Sequence, residues 1–165
     1  GEPDNAVYSL ALADTQVKNK KYNIALDSLL KLVKAGPDKP DVLFLVCTIY
    51  SKKRFYTAAI DFCERTLDLT PKKIDVMNRL AWLYAKKRIK VGIGLELIQR
   101  VLQSNPSQAK YVDTFAELLY AKGDIEGAVK SMNEILRIDP GNSYYKQQMW
   151  KFQNVPSKPL NAVQN

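Results

Sequence analysis

The chain has 165 residues, 46% of them hydrophobic and 25% charged, which suits one globular domain and excludes a disulfide-rich miniprotein, a disordered chain and a membrane bundle. Lysine and arginine total 25 against 17 acidic residues, so the formal net charge is +8. The sequence contains no histidine, which excludes imidazole as a catalytic base or a metal ligand.

The cysteines and the apolar segments bear on the compartment. Cys47 and Cys63 are too few for a disulfide framework and lack the spacing of a zinc site, so we expect two buried free thiols and no metal. The first residues show no signal peptide, and the longest nearly apolar run, 42–50, is far shorter than the roughly 20 residues of a membrane helix. These features slightly favour the cytoplasm; an exported or membrane-anchored parent protein is the alternative.

Prolines recur along the chain at an almost constant interval. Their spacings are 34, 35 and 34 residues, at Pro37, Pro71, Pro106 and Pro140. A small residue precedes each proline at the same distance: Ala25, Ala59, Gly94 and Ala128. Apolar residues follow each small residue at helical spacing, and the proline then ends the helix.

A second set of small residues marks an earlier helix in each unit, at Ala13, Cys47, Ala81 and Ala116. We expect it to pack closely against the first set in an antiparallel pair. The predicted helices are, in chain order, 5–20, 23–35, 40–52, 56–69, 74–87, 91–104, 109–122, 125–138 and 143–154.

These units resemble the tetratricopeptide repeat, a helix-turn-helix of 34 residues with the pattern W-x2-L-G-x2-Y, A-x3-F and P. The resemblance covers about residues 6–142 and rests on four copies in register, each with its closing proline. The large aromatic that opens the family's first helix is replaced in every unit here. The third unit also has one extra residue in its turn, between Arg88 and Gly92.

The resemblance implies an all-α fold, an α-α solenoid of four helix-turn-helix repeats in a right-handed superhelix with a C-terminal capping helix. We expect a single domain over residues 1–154, followed by a mobile tail at 155–165. The predicted repeats are about 6–39, 40–73, 74–108 and 109–142, and the capping helix is 143–154.

The predicted capping helix has two sides. Its apolar flank is expected to comprise Tyr144, Tyr145, Met149, Trp150 and Phe152. Its solvent-exposed side is expected to comprise Lys146, Gln147 and Gln148.

Because the family's first helices line a concave groove, the resemblance implies that partner contacts come from their positions outside the core pattern. Those candidates are Phe44, Thr48, Asn78, Arg79, Trp82, Lys86, Asp113, Glu117 and Tyr120. We single out Trp82, because an indole buries a large area and its N–H can orient a partner carbonyl; packing against a neighbouring repeat is the alternative.

The other polar candidates suggest how a partner would be oriented. Asn78 suits a peptide backbone, and Arg79 or Lys86 suits a carboxylate. Asp113 and Glu117 would favour a basic feature at the other end. The family's Lys and Asn clamp for acidic chaperone tails is absent, because its positions hold Leu10, Asp14, Phe44, Leu45 and Thr48.

The excess of cations lies in the turns inside the units, where it predicts a basic ridge. Its candidate residues are Lys52, Lys53, Arg54, Lys87, Arg88 and Lys90, with Lys18, Lys20 and Lys21 in the first turn. Cations there offset the negative ends of the helix dipoles, and we favour this structural role. The alternative is an anionic partner: nucleic acid, an acidic membrane surface or an acidic protein. The nearby aromatics Tyr22, Phe55 and Tyr56 are assigned packing roles by the second-helix pattern.

The sequence has no glycine-rich phosphate loop, nucleophile elbow or paired nucleophile and base, which predicts a protein that is not an enzyme and uses no cofactor or small-molecule substrate. We therefore predict a protein-protein interaction scaffold that binds a partner peptide or helix in its concave groove. One alternative is an anion-binding module that uses the basic ridge. The other is a segment of a longer repeat array, or a unit that self-associates through its N-terminal repeat face. Similar arrays occur in bacterial envelope and secretion assemblies and in cytosolic complexes.

Overall fold

The computed structural model describes residues 3–156, with side chains from residue 7 onward, and this part of the chain contains nine α-helices and no strand. The helices are α1 (Pro3–Lys18), α2 (Tyr22–Ala35), α3 (Pro40–Lys52), α4 (Tyr56–Leu69), α5 (Ile74–Lys87), α6 (Val91–Ser104), α7 (Ala109–Lys122), α8 (Ile125–Ile138) and α9 (Ser143–Asn154). Most of the predicted tail, residues 157–165, lies outside the described residues.

The helix boundaries confirm the repeat pattern. Seven of the nine helices, α3 to α9, begin and end where the sequence predicts, and α2 begins one residue earlier. The first helix differs more, because it begins at Pro3 and not at residue 5, and ends at Lys18 and not at residue 20. The backbone of Lys20 is left-handed, with φ 59°, and cannot continue a right-handed helix. The chain forms two compact units, Gly1–Val76 and Met77–Asn165.

In the first unit the core lies between two antiparallel helix pairs, α1 with α2 and α3 with α4. The small residues Ala13 and Ala25 are 1% and 0% exposed. Leu29, Val46 and Ile49 are equally buried in the same cluster. The small residues therefore lie where the backbones of paired helices approach, as the pattern predicts.

The prediction of free thiols is wrong, because Cys47 of α3 and Cys63 of α4 form a disulfide. Their Cα atoms are 5.5 Å apart, and both side chains are fully buried. Each cysteine occupies an inward position of its helix, so the close packing of the pair brings the two thiols together. The bond links the two helices covalently, as is typical of proteins in oxidising compartments.

In the second unit α7 packs against α6 and α8, and α9 packs against α8. Gly94 of α6 lies where a side chain has no room. A Cβ atom there would lie 2.6 Å from Leu118 Cδ2 and 3.5 Å from both the Ala81 carbonyl oxygen and Tyr84 Cβ. Glycine at this repeat position thus allows the three helices to pack closely.

The turns inside the four repeats share one backbone motif. In the second turn the Arg54 N–H donates to the Ser51 carbonyl and the Phe55 N–H to the Tyr50 carbonyl, at 3.1 and 2.9 Å. This Schellman arrangement places its middle residue in the left-handed region, where glycine is preferred. The four middle residues are Lys20 (φ 59°), Arg54 (φ 62°), Arg88 (φ 55°) and Gly123 (φ 96°). The middle residue is therefore lysine or arginine in three of the four turns and glycine in the fourth.

Candidate functional site

A buried polar cluster lies on one face of α7 in the second unit. Asp113, Glu117 and Tyr120 share that face because they are spaced four and three residues apart on a helix. They are only 7%, 3% and 5% exposed. Buried carboxylates are costly unless they are paired or hydrogen-bonded, so the neighbouring helices must supply their partners.

Helix α9 supplies three of these partners. Its N-cap is Asn142, whose side-chain oxygen accepts hydrogen bonds from the Tyr144 and Tyr145 N–H groups. This start fixes the helical phase, and Tyr144, Gln148 and Lys151 then face α7. The Tyr144 hydroxyl donates to Asp113 Oδ2 at 2.9 Å.

The other two partners converge on the carboxylates. Gln148 Nε2 donates to Asp113 Oδ1 at 3.2 Å and to Glu117 Oε1 at 2.6 Å. Lys151 Nζ forms an ion pair with Glu117 Oε1 at 2.6 Å. The C-terminal helix is therefore attached to α7 by a polar network as well as by apolar packing.

Lys86 of α5 completes the ion cluster from the other side. Its Nζ lies 2.7 Å from Glu117 Oε1, so one carboxylate oxygen holds two ammonium groups. The same Nζ lies 5.1 Å from the centre of the Trp82 ring, within cation–π distance. Trp82 is partly exposed. The cluster thus fixes a cation over an accessible indole.

The pKa values of the two carboxylates are shifted in opposite directions. Burial raises the pKa of Asp113, and the hydrogen bonds from Gln148 and Tyr144 offset this only in part. Burial also favours the protonated form of Glu117, but the charges of Lys86 and Lys151 outweigh it and lower its pKa. Glu117 is therefore the stable anion of the network.

Tyr120 joins the cluster to the end of α9. Its ring lies 4.9 Å from the Phe152 ring, 5.2 Å from Lys151 Nζ and 5.5 Å from the Arg88 guanidinium carbon. Its hydroxyl donates to the Val155 carbonyl oxygen. Burial raises the pKa of Tyr120. The start of the predicted tail is thus held by a hydrogen bond at Val155.

The remaining candidates are distributed over both units. In the first unit, Phe44 is half-buried beneath Lys73 Nζ at 5.8 Å, and the Thr48 hydroxyl donates to the Phe44 carbonyl at 2.9 Å. In the second unit, Arg79 is partly buried, and Asn78 Oδ1 is buried and accepts no hydrogen bond from the described residues. The structure therefore brings together Trp82, Lys86, Asp113, Glu117 and Tyr120.

Three residues of α9 differ from the prediction. Gln148 was expected to be exposed but is 7% exposed. Tyr144 and Trp150 were expected on the apolar flank but are 47% and 60% exposed. The helix turns its Tyr144, Gln148 and Lys151 side toward α7 because the buried carboxylates need donors. The spacing of these three residues, four and three apart, was the available signal.

The predicted basic ridge falls into two groups. Lys52, Lys53 and Arg54 belong to the first unit, and Lys87, Arg88 and Lys90 to the second. Lys90 also has a left-handed backbone, with φ 48°, which accommodates the extra residue of the third turn. Phe55 was assigned a packing role but is 55% exposed; its ring meets the Tyr50 ring edge-on at 6.4 Å.

Residues 3–156 also bear on metal binding and on membrane spanning. No group of three or more cysteine, aspartate or glutamate side chains in that range is placed to hold a metal ion. None of the helices found there is both long enough and apolar enough to cross a bilayer.

Comparison with known proteins identifies the fold. The sequence matches no family model and no curated protein. A segment of MamA from Desulfovibrio magneticus RS-1, starting at its residue 41, has a TM-score of 0.77 at 16% identity, covering 93% of this chain and 86% of that chain. MamA of AMB-1 has a TM-score of 0.71 at 19% identity, covering 92% and 82%.

A tetratricopeptide repeat protein from Parabacteroides merdae ATCC 43184 has a TM-score of 0.79 at 14% identity, covering 92% of this chain and 59% of that chain. These likenesses show the tetratricopeptide-type helical repeat fold, as the sequence pattern implied.

Proposed function

We propose, from the tetratricopeptide-type fold, that this chain is a non-catalytic protein-interaction scaffold that binds a partner peptide or helix on its first helices. Such repeats expose extended surfaces whose function is contact. In the second unit we place the anchor of that surface at Trp82 and Lys86.

The observation that carries the proposal is the fixed cation over the indole. Glu117 holds Lys86 Nζ at 2.7 Å, and that Nζ lies 5.1 Å from the centre of the Trp82 ring. A side chain already fixed in its bound position loses less entropy on association. Tryptophan is also among the residues that most often dominate interface energies.

The structure changes the expected chemistry of the partner. Asp113 and Glu117 bind Tyr144, Gln148, Lys86 and Lys151 within the chain. Both carboxylates are therefore buried against donors of this chain and no longer favour a basic feature in the partner. The surface that remains is aromatic and cationic, which suits an apolar side chain followed by a carboxylate.

The test is affinity capture with the purified chain and with Trp82→Ala, followed by measurement of the affinity of each captured protein. We expect loss of an indole anchor to weaken binding at least 10-fold, equivalent to about 1.4 kcal/mol or more. Trp150→Ala is the matched control, because this tryptophan is 60% exposed on α9. Partner capture that Trp82→Ala leaves unchanged would contradict the proposal.

A specific observation also favours self-association through the N-terminal face. Tyr8 and Leu12 of α1 are 68% and 44% exposed. The residues 34 positions later, Val42 and Val46, are 3% and 0% exposed, in a core that α2 and α3 form together. The described residues leave Tyr8 and Leu12 of α1 exposed where their counterparts in α3 are covered, and we propose a second copy as the occupant of this face.

Sedimentation velocity over a range of concentrations tests this second candidate. We expect a concentration-dependent dimer that Leu12→Lys converts to a monomer, because burial of the added charge would be costly. The control is Thr57→Lys on the exposed side of α4. A monomer at every concentration would exclude self-association.

A further inference from the structure

A dense group of cations lies at the two turns of the first unit. It comprises Lys18, Lys20, Lys21, Lys52, Lys53 and Arg54, here called the basic turn patch. The two turns are neighbours, since Lys53 Nζ donates a hydrogen bond to Asn23 Oδ1. Asp14 pairs with Lys18 at 2.6 Å, whereas Lys20, Lys21, Lys52 and Arg54 have no carboxylate partner among the residues described. The patch therefore carries a local excess of positive charge.

Helix dipoles do not explain the whole patch. Lys18 and Lys52, in the last turns of α1 and α3, already lie where a cation offsets the dipole. Lys20 and Arg54 come after the helix ends, with left-handed backbones that glycine adopts at lower cost. These two positions therefore carry positive charge where the backbone alone would favour glycine.

An aromatic ring lies beside these cations. Phe55 is 55% exposed, and Lys53 Nζ lies 5.4 Å from the centre of its ring. Tyr50 meets the ring edge-on at 6.4 Å. Cations at a helix end with an exposed aromatic match the headgroup region of a membrane, where phosphates bind the cations and aromatic rings lie at the interface.

We propose that the basic turn patch docks the first unit onto an anionic lipid surface. In this arrangement the cations contact the lipid phosphates and Phe55 inserts at the level of the headgroups. Single-stranded nucleic acid is a poorer match, because its bases stack on open ring faces and Lys53 lies over one of the two faces of Phe55. Insertion into headgroups requires only the exposed part of the ring.

The experiment is co-sedimentation of the purified chain with vesicles of phosphatidylcholine, alone or mixed with phosphatidylserine. We expect binding only to the mixed vesicles, weakening as salt is added. The variant Lys52→Gln, Lys53→Gln and Arg54→Gln should weaken binding on the order of 100-fold, since each cation near an anionic surface contributes about fivefold or more. Phe55→Ala should weaken it several-fold.

A matched control separates the patch from net charge. Lys34, Lys39 and Lys72 lie in exposed positions of the same unit, near the opposite ends of the helices. Replacing all three with glutamine removes the same charge and should leave vesicle binding within about twofold of the original. Circular dichroism establishes that both triple variants fold.

Three results would overturn the proposal. Equal binding to both kinds of vesicle would show that lipid charge is irrelevant. Equal weakening by the two triple variants would show that only net charge matters. Tighter binding to a single-stranded oligonucleotide, lost in the patch variant, would assign the patch to nucleic acid.

Discussion

Lys151 of α9 and Glu117 of α7 form an ion pair at 2.6 Å, in which the Glu117 side chain is 4% exposed and the Lys151 side chain 27%. The pair joins the last helix to the preceding repeat. Since Lys86 holds the same Glu117 oxygen from α5, a single carboxylate connects three helices of the second unit. We expect the stability of this unit to depend strongly on Glu117.

Replacing Glu117 with glutamine should destabilise the second unit by about 2 kcal/mol. Breaking a fully buried ion pair costs about 3–5 kcal/mol, and the smaller value applies because both lysines are about a quarter exposed. Urea unfolding followed by tryptophan fluorescence measures this unit, since Trp82 and Trp150 both belong to it. The control is Glu96→Gln at an exposed position of α6, and equal midpoints for the two variants would contradict the prediction.

The contribution of Glu117 should vanish in acid. Its pKa is below the ordinary value of 4.5, so its stabilisation is complete above about pH 4.5 and is lost as pH falls through the folded-state pKa. The urea midpoints of the original chain and Glu117→Gln should therefore differ at neutral pH and converge in acid. A difference that persists at the lowest pH at which the chain still folds would show that lost packing, and not charge, causes the effect.

Asp113 should show the opposite pH dependence. Its pKa is raised, so its charged form is disfavoured in the folded chain. As pH falls from the folded-state pKa toward the ordinary value of 3.8, protonation of Asp113 therefore stabilises the fold. The original chain should therefore gain stability relative to Asp113→Asn over that window. Unfolding midpoints of the two proteins at closely spaced pH values measure this gain. A constant difference between them would contradict it.

Removing the Cys47–Cys63 disulfide should destabilise the first unit by about 3 kcal/mol, the value expected for a closed loop with a sequence separation of 16. Thermal unfolding followed by circular dichroism, with and without reductant, measures the loss. The double variant Cys47→Ala and Cys63→Ala should unfold at the same temperature as the reduced chain, and adding reductant should not change that temperature. Thiol titration of the denatured, unreduced chain should detect no free thiol, and two thiols would contradict the bond.

The left-handed turn residues predict stability changes of opposite sign. Arg54→Gly should stabilise the first unit by about 1 kcal/mol, because glycine adopts φ 62° without the steric cost of a side chain. Gly123→Arg should destabilise the second unit by a similar amount at φ 96°. Lys53→Gly is the control, since Lys53 has φ −79° and gains nothing from glycine. Denaturant midpoints measure all three, and a destabilising Arg54→Gly would show that the side chain itself stabilises the turn.

Much of the fold follows from local rules that the sequence displays directly. The prolines, the two sets of small residues and the helical apolar spacing specify where α3 to α9 begin and end, because helix termination and close helix approach depend on residue types at fixed positions. The close packing at Gly94 follows from the same pattern. The end of α1 was misplaced because Lys20 has the left-handed conformation, which residue type alone did not reveal.

The candidate site was predictable only in part. The spacing of Asp113, Glu117 and Tyr120 places them on one face of α7, but their burial depends on α9, whose orientation is fixed by Asn142 and by hydrogen bonds to α7. Lys151 and Gln148 had no recognisable role until their acceptors were located. Such partners are 31–35 residues apart, beyond the range of any local pattern.

The repeat length, the boundaries of α3 to α9 and the positions of the small residues follow from the sequence alone, since each depends on steric properties of residues near one another in the chain. The Cys47–Cys63 bond, the two lysines at Glu117 and the exposure of Phe55 beside the basic turn patch depend on how the chain folds. A disulfide and an ion pair need atoms at bonding distance, and exposure depends on what covers a side chain. The spacing of residues along the sequence specifies neither condition.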